Sequence, residues 1–198
     1  ETGIDWVKVL HGEQKMVIHN PLPTSATIKA KSKVTGLVDK GAEKGALILT
    51  ERTLKDAESG QDLATLTSTT FARGNGGYGG PSDEAPRPHK VPEREPDFAV
   101  DLTTLDMAAL IYRLSGDYNP LHASPSVARA AGFPKPILHG LCSLGVAGHA
   151  ILKGCCDYDA KRLKSLQLRF SSPVYPGETV RTETVSYTHL TLPTSSVV

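Results

Sequence analysis

Asp117 and His122 are side chains able to move protons, and they stand five residues apart in residues 115–122, S-G-D-Y-N-P-L-H. That spacing puts them neither on one face of a helix nor on one face of a strand. A bend at Asn119-Pro120 brings both to one pocket, where a carboxylate and an imidazole can hold a water between them. One group takes the water's proton as its oxygen attacks, and the other helps return a proton to the neighbouring carbon. Asn119 can fix the loop or the water. A second segment adds what such a pair lacks. Gly140 opens a helical pattern, and a backbone N–H at a helix N-terminus can stabilise negative charge developing on an oxygen. Having no side chain, Gly140 allows close approach, and His139 beside it can support the loop. Asp and Asn before a proline are also ordinary turn formers, so the residues alone establish a candidate acid–base pair and a candidate oxyanion donor.

The elements that must position these groups fall into two halves. Residues 14–73 read as antiparallel sheet, with Val-, Ile- and Thr-rich runs and a turn at Glu58-Ser59-Gly60-Gln61. No long amphipathic helix is expected there, so a helix covering this sheet comes from upstream or from the other half. Residues 73–80, R-G-N-G-G-Y-G-G, are too glycine-rich for regular structure, and prolines at 81, 86, 88, 92 and 96 follow. A linker is placed at residues 81–97, between an N-terminal repeat (1–80) and a C-terminal repeat (98–184). Thr103 and Thr104 are expected to cap a helix with the stripe Met107, Leu110, Ile111 and Leu114, ended by Gly116. Ser124-Pro125-Ser126 starts a short helix that Gly132 closes. A longer helix from Gly140 carries Leu141, Leu144, Gly145, Gly148, Ile151 and Leu152 at helical spacing and is expected to be buried. The alternation Leu166, Leu168, Phe170 predicts a strand that turns at Pro176-Gly177-Glu178 into a partner near residues 179–184.

Lys+Arg number 22 against Asp+Glu 21, a net charge of +1, so nothing points to nucleic acid or an anionic membrane as partner. No apolar run is long enough to span a bilayer, and the polar start is unlike a signal peptide. The chain reads as soluble. Cys142, Cys155 and Cys156 lack zinc-site spacing and are expected as free thiols in a reducing compartment; with His149 they read as core filling, and no metal site is expected.

The run 112–122, followed by Ala131-Gly132-Phe133 and by residues 136–142, P-I-L-H-G-L-C, resembles the MaoC-like, (R)-specific enoyl-CoA hydratase 2 family. The likeness continues through residues 170–178, F-S-S-P-V-Y-P-G-E. Residues 11–14 and 73–80 are similar to the non-catalytic first repeat of its two-repeat members. The resemblance implies an α+β fold, a double hot dog in which each sheet wraps a long helix. It also implies reversible hydration of trans-2-enoyl-CoA to the (3R)-3-hydroxyacyl-CoA in fatty acid metabolism. Asp117 and His122 would act on water and Gly140 would supply the oxyanion N–H, with Asn119, His139, Arg73, Gly76 and Gly77 as substrate-binding positions. No separate cofactor is implied, since CoA is part of the substrate. A homodimer and a cytoplasmic location are expected, with the peroxisomal matrix as the alternative.

Two departures accompany the resemblance. The first repeat lacks sequence for its helix, which predicts a truncated start. Residues 185–198 break the pattern and resemble translated sequencing-adapter read-through, which predicts a non-native tail. Alternative readings are a dehydratase on acyl-carrier-protein thioesters, a non-catalytic acyl-thioester-binding module, and a thioesterase on a related fold.

Overall fold

The expected sheet of the first half forms from β1 (Val9–Ile18), β2 (Ile28–Asp39), β3 (Ala46–Asp56) and β4 (Asp62–Ala72). The computed structural model describes residues 2–82, 85–87 and 90–187, so residues 188–198 of the expected tail lie outside it. β-Branched residues suit these pleated, half-buried strands. The β3–β4 turn is held by Asp56, whose Oδ1 accepts from the Ser59 N–H at 2.7 Å and from the Ser59 hydroxyl at 2.8 Å.

The second half supplies β5 (Phe98–Thr103), the helices α1 (Ala108–Tyr112), α2 (Pro125–Ala130) and α3 (Gly140–Cys155), then β6 (Ser165–Arg169) and β7 (Thr179–Thr184). Its last two strands do not pair with each other as the sequence reading has it. Instead β6 adds to β1 in a five-stranded sheet of order β2-β3-β4-β1-β6, and β7 pairs with β5. Alternation identifies a strand and its buried face but carries no information on which edge it joins.

Thr103 and Thr104 do not cap α1. Pairing of Thr103 with Thr179 extends β5, and the Thr104 hydroxyl donates to the Glu178 carbonyl at 2.8 Å. Met107 occupies the N-cap position instead, and Gly116 ends the following 3-10 turn with φ +106°. The stripe Met107, Leu110, Ile111 and Leu114 faces outward, and the buried residue of α1 is Ala109. The predicted stripe of α3 is buried only in part: Gly148 is enclosed, with Ala150 beside the stripe, while Leu141 and Gly145 are exposed. Small residues do let strands approach, since a Cβ on Gly148 would stand 3.4 Å from Leu166 and one on Gly154 would stand 2.5 Å from the Phe98 ring.

The glycine-rich segment after Arg73 has no helix or strand, yet it is folded around one carboxylate. Buried Asp39 accepts from the N–H groups of Gly41, Gly77 and Gly79 at 2.9, 2.7 and 2.7 Å. These bonds, that from Gly77 foremost, hold its carboxyl below the usual range. Gly76 passes so close to the carbonyls of Gly41 and Gly45 that no side chain fits.

A small apolar core joins the halves behind the loop of interest. Leu121, Ala128, Ala131 and Ile137 are packed with Val7 and Leu10 from the first half and Phe133 and Tyr175 from the second. Leu121 is only 4% exposed. Leu121→Ala is expected to destabilise the protein by about 2–5 kcal/mol in denaturant unfolding. A loss below about 0.5 kcal/mol would show that the site can collapse around the gap.

Candidate active site

The bend expected at Asn119-Pro120 is a 3-10 turn, Pro120–His122, whose N-cap is Asn119. The Asn119 side chain accepts from the Leu121 N–H at 3.0 Å, and its own N–H donates to Asp117 Oδ1 at 3.2 Å. Asn119 therefore fixes the loop. The turn swings Asp117 and His122 to one cavity of about 770 Å³, whose walls also include Asn119, Gly140, His11 and Phe170.

His122 Nδ1 lies 2.8 Å from the Ile137 carbonyl, which can only accept. Nδ1 therefore carries the hydrogen, and Nε2 is left as a bare acceptor suited to take a proton. Burial, the largest influence, lowers the pKa of His122, which keeps it in this neutral form. His139 lies beneath, 1% exposed, its ring stacked on His122 at 3.8 Å and tilted against Tyr112 at 4.7 Å. Its Nε2 donates to the Asp117 carbonyl at 3.2 Å, so it braces the loop from below and does not line the cavity. Its Nδ1 is buried without a partner among the described residues.

Ligating atoms of Asp117, His122 and His139 lie within 4.8 Å of one another. The two imidazoles stack, and each commits one nitrogen to a carbonyl and keeps the other.

Gly140 is the first residue of α3, so its N–H has no acceptor within the helix. A Cβ there would stand 3.2 Å from the Phe170 ring, which closes over this helix end. Cys142, in the same first turn of α3, has its thiol pushed up by burial and is no ready nucleophile.

Arg73, Gly76 and Gly77 are not among the residues lining this cavity. Arg73 instead joins the halves, donating to the carbonyls of Ala131 at 3.2 Å and Lys8 at 3.4 Å. Gly76 and Gly77 lie in the loop around Asp39. His149 is exposed, near the Tyr158 hydroxyl at 3.3 Å, and is not core filling; Cys156 is buried, and all three cysteines are free. The sequence reading did not single out His11 or Phe170 as site residues. A glycine within a strand pattern, Gly12, was the available signal, since it marks a bulge that can redirect its neighbour.

Burial is the largest influence on His11, His122 and His139, and each has a lowered pKa. Unfolded, such groups take up protons below about pH 6.5, whereas folded they resist until lower pH. The unfolded state then binds more protons, so stability is full above about pH 6.5 and falls as pH drops through the lowered folded values. The urea midpoint is expected to fall between about pH 7.5 and about pH 5.5. An unchanged or higher midpoint at the acid end would show that these imidazoles titrate normally.

Residues 88–189 match the MaoC-like domain family. The chain belongs to that family. Residues 1–74 match the MFE-2 hydratase 2 N-terminal domain, so the MaoC-like match carries Asp117, His122 and Gly140 while the other carries His11. This MaoC-like chain is 44% identical over 175 residues to 3-hydroxyacyl-thioester dehydratase Y of Mycobacterium tuberculosis, covering 88% of the chain and 60% of the relative. It is 42% identical over 184 residues to Enoyl-CoA hydratase 2, peroxisomal, of Arabidopsis thaliana, covering 88% and 59%. The crystal structure of a MaoC-like dehydratase from Phytophthora capsici aligns with TM-score 0.82 at 44% identity, over 92% of this chain and 63% of that one. A Mycobacterium tuberculosis protein described as a double hotdog fold aligns with TM-score 0.58 at 14% identity, a likeness of fold alone. The α+β hot-dog architecture implied by the sequence is thus the architecture found. This chain spans about three fifths of the length of the curated relatives it matches.

Proposed function

We propose that this chain hydrates trans-2-enoyl-CoA reversibly to the (3R)-3-hydroxyacyl-CoA, as a hydro-lyase of fatty acid metabolism. The observation that carries the reading is the tautomer of His122: with Nδ1 committed to Ile137, a neutral Nε2 shares the cavity with the Asp117 carboxylate and the start of α3. In this reading a water held by Asp117 and His122 gives up a proton as its oxygen bonds to C3 of the enoyl group. The electrons of the double bond move onto the thioester oxygen, and the Gly140 N–H stabilises the resulting enolate. Return of a proton to C2 completes the addition, with every atom of water retained in the product.

Relatives named enoyl-CoA hydratase 2 support the CoA thioester as substrate; in this reading the reaction needs no separate cofactor. The name 3-hydroxyacyl-thioester dehydratase favours a second reading, the same chemistry run as dehydration; a carrier-protein thioester is the alternative substrate for it. Peroxisomal names among the relatives support the peroxisomal alternative rather than the cytoplasmic location first expected. No helix among the described residues is long and apolar enough to cross a membrane. Pairing of two copies is part of this reading, checked by light scattering.

The test is incubation of the chain with trans-2-enoyl-CoA, loss of the conjugated enoyl absorbance and chiral analysis of the product. A (3R)-hydroxyacyl-CoA supports the proposal. Release of free CoA would instead identify a thioesterase, and binding without turnover would identify an acyl-thioester-binding module. Comparison of rates on CoA and carrier-protein thioesters separates the two hydro-lyase readings.

A further inference from the structure

The proton-moving groups come from the second half, yet the first half delivers an imidazole to the same cavity. β1 and β4 pair in register as far as His11 with Thr70, and the ladder then shifts so that Glu13 faces Thr69. The extra residue is Gly12. Such a bulge redirects a side chain relative to the pleat and recurs beside functional sites. Here it sets the His11 ring on Phe170, with centroids 5.0 Å apart and planes at 62° in an edge-to-face contact. The Phe170 N–H donates to the Gly12 carbonyl at 2.9 Å, so the bulge holds both ring and backbone of Phe170.

The His11 ring is itself fixed. Its Nε2 donates to the Glu13 carbonyl at 3.1 Å. Glu13 in turn accepts from the Thr69 hydroxyl at 3.3 Å and pairs with Arg169, the neighbour of Phe170, at 3.6 Å. The chain of contacts ends where Phe170 lies within 3.2–3.3 Å of the position a Gly140 Cβ would take. One aromatic ring thus separates an imidazole of the first half from the N-terminus of α3.

We propose that His11 is a positioning residue for the hydration: it holds the Phe170 ring over Gly140 and so fixes the helix end at which the enolate oxygen is stabilised. The assignment rests on the reaction proposed above. It gives the half without the acid–base pair a definite part in turnover, exerted through Phe170.

His11→Leu keeps bulk but removes the aromatic edge, whereas His11→Phe keeps the edge. In the full chain, His11→Leu is expected to lower kcat by about tenfold, part of the cost of a misplaced reacting group, with KM within about twofold of the parent. His11→Phe is expected to retain kcat within about threefold. The Gly140 amide resonance in a ¹H–¹⁵N spectrum should move in His11→Leu and return towards the parent position in His11→Phe. Equal kcat in parent and His11→Leu, or equal damage in both variants, overturns the proposal. If the parent does not hydrate enoyl-CoA, the reaction assignment fails on its own. The amide resonance then still decides: movement restored by Phe supports positioning, and an unmoved resonance in both variants overturns it.

Discussion

Asp117→Asn and His122→Ala are each expected to lower hydration of trans-2-enoyl-CoA by about 10²–10⁴-fold, the usual worth of a positioned acid or base. Asp117→Asn retains a side-chain oxygen that can accept the Asn119 N–H seen at 3.2 Å, so the loop keeps its shape while the carboxylate is lost. His122→Ala removes the bare Nε2 and also the bond from Nδ1 to the Ile137 carbonyl, so some destabilisation accompanies the loss. Melting curves and affinity for a non-reactive acyl-CoA separate the two effects. Retained turnover in either folded variant would overturn the assignment of that residue. The double variant is expected to be little worse than the more damaged single one, because both groups act on one water.

Gly140→Ala is the second large effect. The new methyl would lie 3.2–3.3 Å from three carbons of the Phe170 ring, so ring or helix end must yield by a few tenths of an ångström. Alanine is the better helix former, and the expected change in melting temperature is correspondingly small. The oxyanion donor is displaced, however, and kcat is expected to fall roughly 10²-fold as a consequence of sub-ångström misplacement. A variant with full kcat would show that the N–H of Gly140 is not where the enolate charge develops.

The candidate site was more legible than its support. Asp117, His122 and Gly140 could be proposed because they are joined by short-range signals: a proline bend with an Asx cap, then a glycine at a helix start. Gly116 and Gly132 likewise marked helix ends through backbone conformation, a property that belongs to the residue itself. What stayed hidden depended on partners distant in sequence. Thr104 could cap a helix or bond across to Glu178, and only the pairing of β5 with β7 decides between them. The glycines after Arg73 looked like a connector because nothing in their own composition reveals that Asp39 will gather their N–H groups. The outward stripe on α1 had the spacing of a buried face, but spacing says which residues share a side and not whether anything covers it.

Strand β6 lies in the second half and pairs with β1 of the first, from Glu13 with Arg169 to Val17 with Ser165. That ladder makes the proline-rich connection between the halves mechanically secondary: after a proteolytic nick in the connection, five backbone pairings and the shared apolar core still hold the halves together. A chain nicked between the halves is therefore expected to stay together through gel filtration and to melt in one transition, with β1 and β6 amides exchanging together. Two separated melts would mean that the shared ladder is too weak to make the halves a single thermodynamic body.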